Sequence, residues 1–313
     1  MFFSVIVTLY NKELYIRRCL QSVLKQTHSN FEIVIIDDGS TDNSVNIVNE
    51  FNDNRIALHQ QSNKGVSVAR NVGIEKSSSN YIALIDADDE WLPNHLENLL
   101  HLVQMYPDAN MWVSGYRKST KKPNLSKKSI QKIYIEAYLD NRLNNTSIAW
   151  TSATLLNKDV FNKTNGFMPR ISHGEDQALW LEMCIDGYIA KSFLETAIYN
   201  VYDNSLSTKL VASEAEDACM LTINKILDEN TNISDQIKSK LLEFRHRYAL
   251  SHAIGALCWQ KPSIVKGFLR LSRGTKIYKK RRIIIKALRL VSILFPRTIA
   301  RFIMLKNKKQ KSS

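Results

Sequence analysis

Residues 81–89 read Tyr-Ile-Ala-Leu-Ile-Asp-Ala-Asp-Asp (YIALIDADD), and the fold turns on how this stretch is read. Tyr81 to Ile85 is a short apolar run of strand character. It ends at Asp86, where three carboxylates fall within four residues. Upstream the same pattern recurs. Phe3 to Thr8 (FSVIVT), Glu32 to Ile36 (EIVII) and Arg55 to His59 read as three further strands. Between them, Tyr15, Ile16, Cys19, Leu20, Val23 and Leu24 fall at helical spacing, Val45 to Phe51 reads as a second helix and Val66 to Lys76 as a third. This β-α-β-α-β-α-β order implies a mainly parallel sheet with helices on both faces.

Downstream the pattern loosens. Tyr116 to Lys128 is polar and lysine-rich and reads as an exposed loop. Glu175 to Asp186 reads as a helix with Leu179, Met183 and Trp180 facing inward, and Ala197 to Tyr202 as a last core strand. Beyond about residue 210 the pattern is helical to the end. The expected division is a catalytic domain over residues 1–210 and a helical, basic extension over 211–313.

Parallel sheets bind ligands outside the carboxyl ends of their strands, and acidic clusters stand at two such ends. Asp86, Asp88 and Asp89 repel one another unless neutralised. Mg²⁺ or Mn²⁺ does this while bridging carboxylates to substrate phosphates. A solvated acidic turn leading into a helix begun by Trp91-Leu92-Pro93 is the plainer account. Around Asp37-Asp38-Gly39-Ser40-Thr41-Asp42, a tight turn at Gly39 and a cap from Ser40, Thr41 or Asp42 explain most residues. They do not explain adjacent carboxylates at a strand end, which could accept hydrogen bonds from a base N–H or ribose hydroxyls. Gly174-Glu175-Asp176 opens a helix, where the dipole alone favours acids; one of the two could also deprotonate an acceptor hydroxyl.

The 313 residues carry a net charge of +13, placed unevenly. Residues 261–313 hold 17 Lys/Arg and no Asp/Glu, which leaves 26 basic and 30 acidic residues in 1–260. A mildly acidic body argues against a nucleic-acid reading for the body, whereas a basic tail suits an anionic surface, either membrane or nucleic acid. Arg282, Lys286 and Arg289 share one helical face beside Ile283, Ile284, Ala287 and Leu288; Arg297 and Arg301 continue the pattern beside Ile299, Phe302 and Ile303, up to the lysine-rich end at Lys306 to Lys311. Such helices can lie in the headgroup region, and packing on the catalytic domain or a solvated tail is the competing account. Cys19, Cys184, Cys219 and Cys258 form no CxxC pair and read as reduced thiols in a cytosolic protein, without zinc. No stretch of 18 residues is free of charge, so no transmembrane helix is expected, and the N-terminus does not read as a signal peptide.

Taken in order, SVIVTLYNKELYIRRCLQSVLKQT, FEIVIIDDGSTDNS, NKGVSVARNVGI, YIALIDADDEWLP, NGF and HGEDQALWLEM resemble the family 2 glycosyltransferases of the GT-A fold, over roughly Ser4 to Ser207. The resemblance implies an inverting transferase that takes a sugar from a nucleotide sugar, UDP-linked on family frequency, to a saccharide or lipid-linked saccharide acceptor. By the same resemblance Tyr10 and Asp38 would hold the base, with Thr8 and Asp37 nearby, and Arg70 would help hold the nucleotide. Asp86 and Asp88 match the DxD pair, and Asp88 or Asp89 would ligate Mn²⁺ or Mg²⁺. Asp176 matches the general base, with Glu175 its neighbour; Trp180 and Phe167 would shape the acceptor side. One departure concerns Asn200 and Tyr202, which stand where relatives often carry Arg and His. Phosphate neutralisation then rests on the metal or on another cation, with Lys209 and the Lys64 loop as candidates.

Two other classes are weaker fits. A sugar-phosphate nucleotidyltransferase needs a Gly- and Arg-rich loop after the first strand, where this chain reads LYNKELY, and a dinucleotide oxidoreductase needs GxGxxG there. A degenerate transferase acting as a scaffold or carbohydrate-binding protein is the non-enzymatic alternative, against which the intact acidic clusters argue.

Overall fold

A computed structural model describes residues 1–121, 129–144, 146–169, 174–201, 218–229 and 233–258, together with 265, 268, 269, 283–286 and 289. The chain divides into two units, Met1–Asn141 with Asn145–Tyr202, and Arg142–Asn144 with Asp203–Ser313.

The first unit opens with β1 (Phe3–Leu9), α1 (Ile16–Leu24), β2 (Phe31–Asp37), α2 (Ser44–Asn49), β3 (Ile56–Gln60), α3 (Val66–Lys76) and β4 (Tyr81–Asp86), in the order the hydrophobic pattern predicts. α1 buries Ile16, Cys19, Leu20 and Val23, the stripe expected of an amphipathic helix on a sheet. β1 pairs in parallel with β2 on one side and β4 on the other. The chain therefore winds outward in both directions from β1, and the carboxyl ends of β1 and β4 are the topological switch point, where open α/β sheets form a ligand crevice.

The remainder is β5 (Glu90–Trp91), α4 (His95–Met105), β6 (Met111–Lys118), β7 (Ile130–Ile133), α5 (Ile135–Leu143), β8 (Thr154–Asn157), α6 (Lys158–Phe161), α7 (Glu175–Ile185) and β9 (Ile189–Tyr199). The strands among the described residues form one nine-stranded sheet in the order β3-β2-β1-β4-β8-β6-β9-β5, with β7 on β9. β8 runs antiparallel to both β4 and β6, which makes the sheet mixed at this end.

Two sequence expectations are corrected here. Tyr116, Arg117 and Lys118 do not begin a loop; they extend β6 and pair with Ala197, Ile198 and Tyr199. The last strand begins at Ile189 rather than Ala197. Both were obscured because the buried part of β6 (Met111 to Gly115) shows no alternation and its polar end looks like a loop. Of the remaining expected loop, residues 122–128 lie outside the described residues.

In the second unit, α8 (Ala218–Glu229) and α9 (Asp235–Cys258) build a core in which Met220, Ala249, Leu250, Ala253, Val265, Phe268, Leu269 and Ile285 meet. Described residues from Ala218 onward are helical apart from the link at 233–234. Among the described residues no helix is long and apolar enough to cross a membrane. Cys19, Cys184 and Cys219 are buried free thiols. Tyr202, Lys209, Arg282, Arg297, Arg301 and Lys306 to Lys311 lie outside the described residues.

Candidate active site

The parallel register sets the strand ends level. Thr8 stands beside Asp86 and Leu9 beside Asp37, so both acidic clusters open onto the same edge of the sheet. Thr8 Oγ1 donates to Asp86 Oδ1 at 3.2 Å. Tyr10, just past the end of β1, is 43% exposed.

Arg70 joins this edge to the far side of the crevice. It lies on α3 at 5% exposure. Its Nη2 donates to Asp86 Oδ1 at 2.9 Å and its Nη1 to Glu175 Oε1 at 3.0 Å, while the guanidinium lies 5.2 Å from the Phe167 ring centroid. Burial works against the charge, but Asp86, Glu175 and Asp176 together hold the guanidinium pKa above its ordinary value. Positions about ninety residues apart, Asp86 and Glu175, thus share one cation. Arg70 is the bridge across the crevice, and its two Nη groups are given to carboxylates.

Glu175 and Asp176 begin α7. Gly174 precedes them in the left-handed region (φ 84°), a conformation that favours glycine, and this turn sets the pair at the helix N-terminus, where negative charge is stabilised. Asp176 Oδ1 accepts from the Gln177 N–H at 2.7 Å. Phe167 and Trp180 are buried: at 0% and 2% exposure they meet edge to face in the interior, with Arg70 over Phe167. Burying a side chain such as Phe167 is worth about 1.5–3 kcal/mol.

The acidic turn after β4 splits in two directions. Asp86 and Asp88 are partly exposed, and Asp88 Oδ2 pairs with Lys12 Nζ. Asp89 is 1% exposed. Its Oδ2 accepts from Ser152 Oγ at 2.5 Å and Trp150 Nε1 at 3.2 Å, and its Oδ1 from the Asn200 N–H at 3.1 Å. Burial, then the nearby Asp86 and Asp88 charges, push its pKa up to about 7 against the pull of the Ser152 bond. Asp89 therefore anchors the turn from within and is not placed to join Asp88 as a metal ligand. Asn200 completes the anchor: its Nδ2 donates to the Asp88 carbonyl and to Glu90 Oε1, each at 3.0 Å.

Asp37 and Asp38 shape the neighbouring loops. Ser40 N–H reaches both Asp37 carboxylate oxygens at 3.3 Å. Asp38 accepts from Gln61 Nε2 at 2.7 Å, Lys64 N–H at 2.9 Å and Gly65 N–H at 2.8 Å, which fixes the segment entering α3. Lys64 is exposed, and the contact it makes with the acidic cluster is through its backbone. Gly39 has φ 78°, and a Cβ there would lie 2.9 Å from Asn63 N, so the turn admits only glycine without distortion.

The sequence reading missed Lys12, Ser152, Trp150 and the role of Asn200. Lys12 is visible in retrospect as the one cation of LYNKELY, on the loop facing the acidic turn. Ser152 and Trp150 carry no local signal, because more than sixty residues separate them from Asp89.

Among the described residues no group of three or more His, Cys, Asp or Glu forms a cation cage. The donors nonetheless suit a cation completed by substrate. Hydrogen bonds from described residues engage Asp86 at Oδ1 and Asp88 at Oδ2, leaving one carboxylate oxygen on each. Mg²⁺-type sites commonly use one or two carboxylates plus phosphate and water.

Comparison with known proteins bears on the family and the fold. The family described as glycosyl transferase family 2 matches residues 4–164. The glycosyltransferase GlyA of Streptococcus pneumoniae serotype 4 is 43% identical over 115 residues, 36% of this chain but 16% of its own length, so this chain corresponds to a small part of that protein. The putative teichuronic acid biosynthesis glycosyltransferase TuaG of Bacillus subtilis is 31% identical over 209 residues, covering 66% of this chain and 81% of TuaG. Among solved structures, S. aureus TarS 1-349 in complex with UDP-GlcNAc superposes with a TM-score of 0.74 at 19% identity, over 98% of this chain and 92% of that one; at that identity the likeness is one of fold.

Proposed function

The chain belongs to glycosyl transferase family 2, and from that premise we propose that it moves a hexose or N-acetylhexosamine from a UDP-sugar to a saccharide acceptor of a cell-surface glycan, with inversion. The observation that carries the reading is the Arg70 bridge, which ties the Asp86 strand end to the Glu175–Asp176 helix start. TuaG, named for teichuronic acid biosynthesis, and TarS, solved with UDP-GlcNAc, support the choice of donor and of a lipopolysaccharide-, capsule- or teichoic-type product.

The chemistry follows from the arrangement. Thr8, Tyr10, Asp37 and Asp38 line the side where the nucleoside is held, with Tyr10 offering a ring face to the base. Asp86 and Asp88 would hold Mn²⁺ or Mg²⁺, which supplies positive charge against the departing diphosphate. The acceptor oxygen forms its bond to the anomeric carbon as the carbon–oxygen bond to the diphosphate breaks, and the acceptor proton passes to Asp176. Asp176 stands in the first turn of α7, and a positioned carboxylate can take that proton as the new bond forms. Glu175, held by Arg70, positions the start of α7 rather than accepting the proton itself. A single displacement from the opposite face inverts the anomeric configuration.

We place the enzyme at the cytosolic face of the plasma membrane, through the basic segment after residue 260. In that segment Ile283 and Ile284 are exposed on a helical turn whose Ile285 is buried, and Lys/Arg side chains near an anionic surface contribute about 1 kcal/mol each.

A thermal-shift panel of UDP-, GDP- and dTDP-sugars, each with and without Mn²⁺, tests the donor. One nucleotide class should raise Tm only with the metal, since ligand at about 100 times its Kd stabilises by about 2.7 kcal/mol. No shift with any nucleotide sugar would overturn the proposal.

A further inference from the structure

The loop between β1 and α1 is mounted with unusual firmness. Asn11 adopts a left-handed φ of 50°, which Asn tolerates better than most residues. Its N–H donates to Ser40 Oγ at 2.9 Å and its Oδ1 accepts from the Thr41 N–H at 2.8 Å. The Lys12 N–H donates to Ser44 Oγ at 2.8 Å. Glu13 N–H donates to Asp42 Oδ2, and the Asn43 N–H to Glu13 Oε2, each at 3.0 Å. The backbone of Lys12 is thereby fixed on both sides, while its side chain reaches to Asp88 at the reversal point between β1 and β4.

The neighbouring cations are committed elsewhere. Arg70 is buried between Asp86 and Glu175, and Arg18 pairs with Glu90 at 2.9 Å. The Lys12 side chain keeps 29% exposure, so its ammonium stands at the solvent edge of the acidic turn. A lysine is a point charge with three rotatable donors on a flexible stem, a form suited to phosphate oxygens.

Building on the transferase reading, we propose that Lys12 is an exchangeable counter-cation. In the absence of substrate it neutralises Asp88. When a divalent cation takes that carboxylate, the Lys12 ammonium transfers to the diphosphate of the nucleotide donor and holds it across the crevice. No bond is made or broken; one ion pair replaces another.

The two halves of the proposal predict changes of opposite sign in one variant. In Lys12→Met, Mn²⁺ alone, followed by electron paramagnetic resonance on the full chain, should bind several-fold more tightly because its competitor is gone. UDP in saturating Mn²⁺, followed by titration calorimetry, should bind about tenfold more weakly through loss of a charge-assisted contact; GDP is run in parallel. Lys12→Arg should restore nucleotide affinity most of the way. Arg17→Gln, which removes a cation from α1 whose partner is Glu50, controls for net charge and should leave both affinities as they are. The idea is overturned if Mn²⁺ affinity in Lys12→Met is unchanged or lower, or if nucleotide affinity falls no further than in Arg17→Gln. Absence of nucleotide binding by the unaltered chain would instead remove the transferase reading, and this proposal with it.

Discussion

The two halves of the sheet contribute to the crevice in different ways. In the parallel half, β3-β2-β1-β4, reactive side chains stand at strand ends in register: Thr8 beside Asp86, and Asp37 level with Leu9. In the other half, β8-β6-β9-β5, the contributions to the same turn come from behind it. Ser152, Trp150 and Asn200 all donate to the buried Asp89, while Asp86 and Asp88 keep exposed surface. On the proposed reading, one half presents groups to the donor and the other fixes the backbone that carries them. Substitutions on the presenting side should therefore remove chemistry and spare stability, and those on the holding side should do the reverse.

The sharpest separation is expected at Asp176. Asp176→Asn keeps the size of the side chain and its acceptor for the Gln177 N–H, but cannot take a proton. Turnover should fall by about 10²- to 10⁴-fold, the usual contribution of a positioned base. Tm and Mn²⁺-dependent donor binding should stay near those of the unaltered chain. Steady-state kinetics alongside thermal unfolding reads both. Near-normal turnover would take Asp176 out of the base role.

Arg70 belongs to the holding group although it lies in the parallel half, and it tests whether the division follows the sheet or follows burial. Arg70→Met leaves Asp86 and Glu175 without their shared cation. Breaking a buried pair by removing one partner costs about 3–5 kcal/mol, so chemical denaturation should show a loss of that size, with activity falling as a consequence. Arg70→Lys should recover little, because one ammonium cannot span two carboxylates as the guanidinium fork does. A stable, inactive Arg70→Met protein would instead return Arg70 to the nucleotide-holding role that the family resemblance implies.

How far the sequence could be read tracks the same contrast. The parallel half was legible element by element, because β1, β2 and β4 are largely apolar runs closed by a polar turn and α1 carries a clear buried stripe. The two acidic clusters and the helix start at Glu175 were legible too, as local constellations. The holding contacts were not. Asp89 looks identical to Asp88 in the sequence, and only Ser152, Trp150 and Asn200, brought in by β8 and β9, turn it inward. The family resemblance assigned Trp180 and Phe167 to the acceptor side, while the helical pattern had Trp180 facing inward; both are buried, at 2% and 0% exposure. Periodicity reports which face is buried and is silent on which distant residue does the burying.

The smallest effect bears most directly on the contrast. Asn200→Ala keeps the backbone N–H bond to Asp89 but loses the Nδ2 bonds to the Asp88 carbonyl and Glu90. Glu90 keeps its pair with Arg18, so the loss is of two hydrogen bonds at about 0.5–1.5 kcal/mol each, which for a unit of this size lowers Tm by about 2–4 °C per kcal/mol. If the far half acts by holding the turn, the loosened Asp88 backbone should also weaken Mn²⁺ binding a few-fold, since a flexible ligand must be ordered before it can bind. A structural residue remote from the turn would lower Tm and leave metal affinity alone. Finding that second pattern at Asn200 would mean that the turn keeps its shape without β9, and the division of labour between the halves would have to be given up.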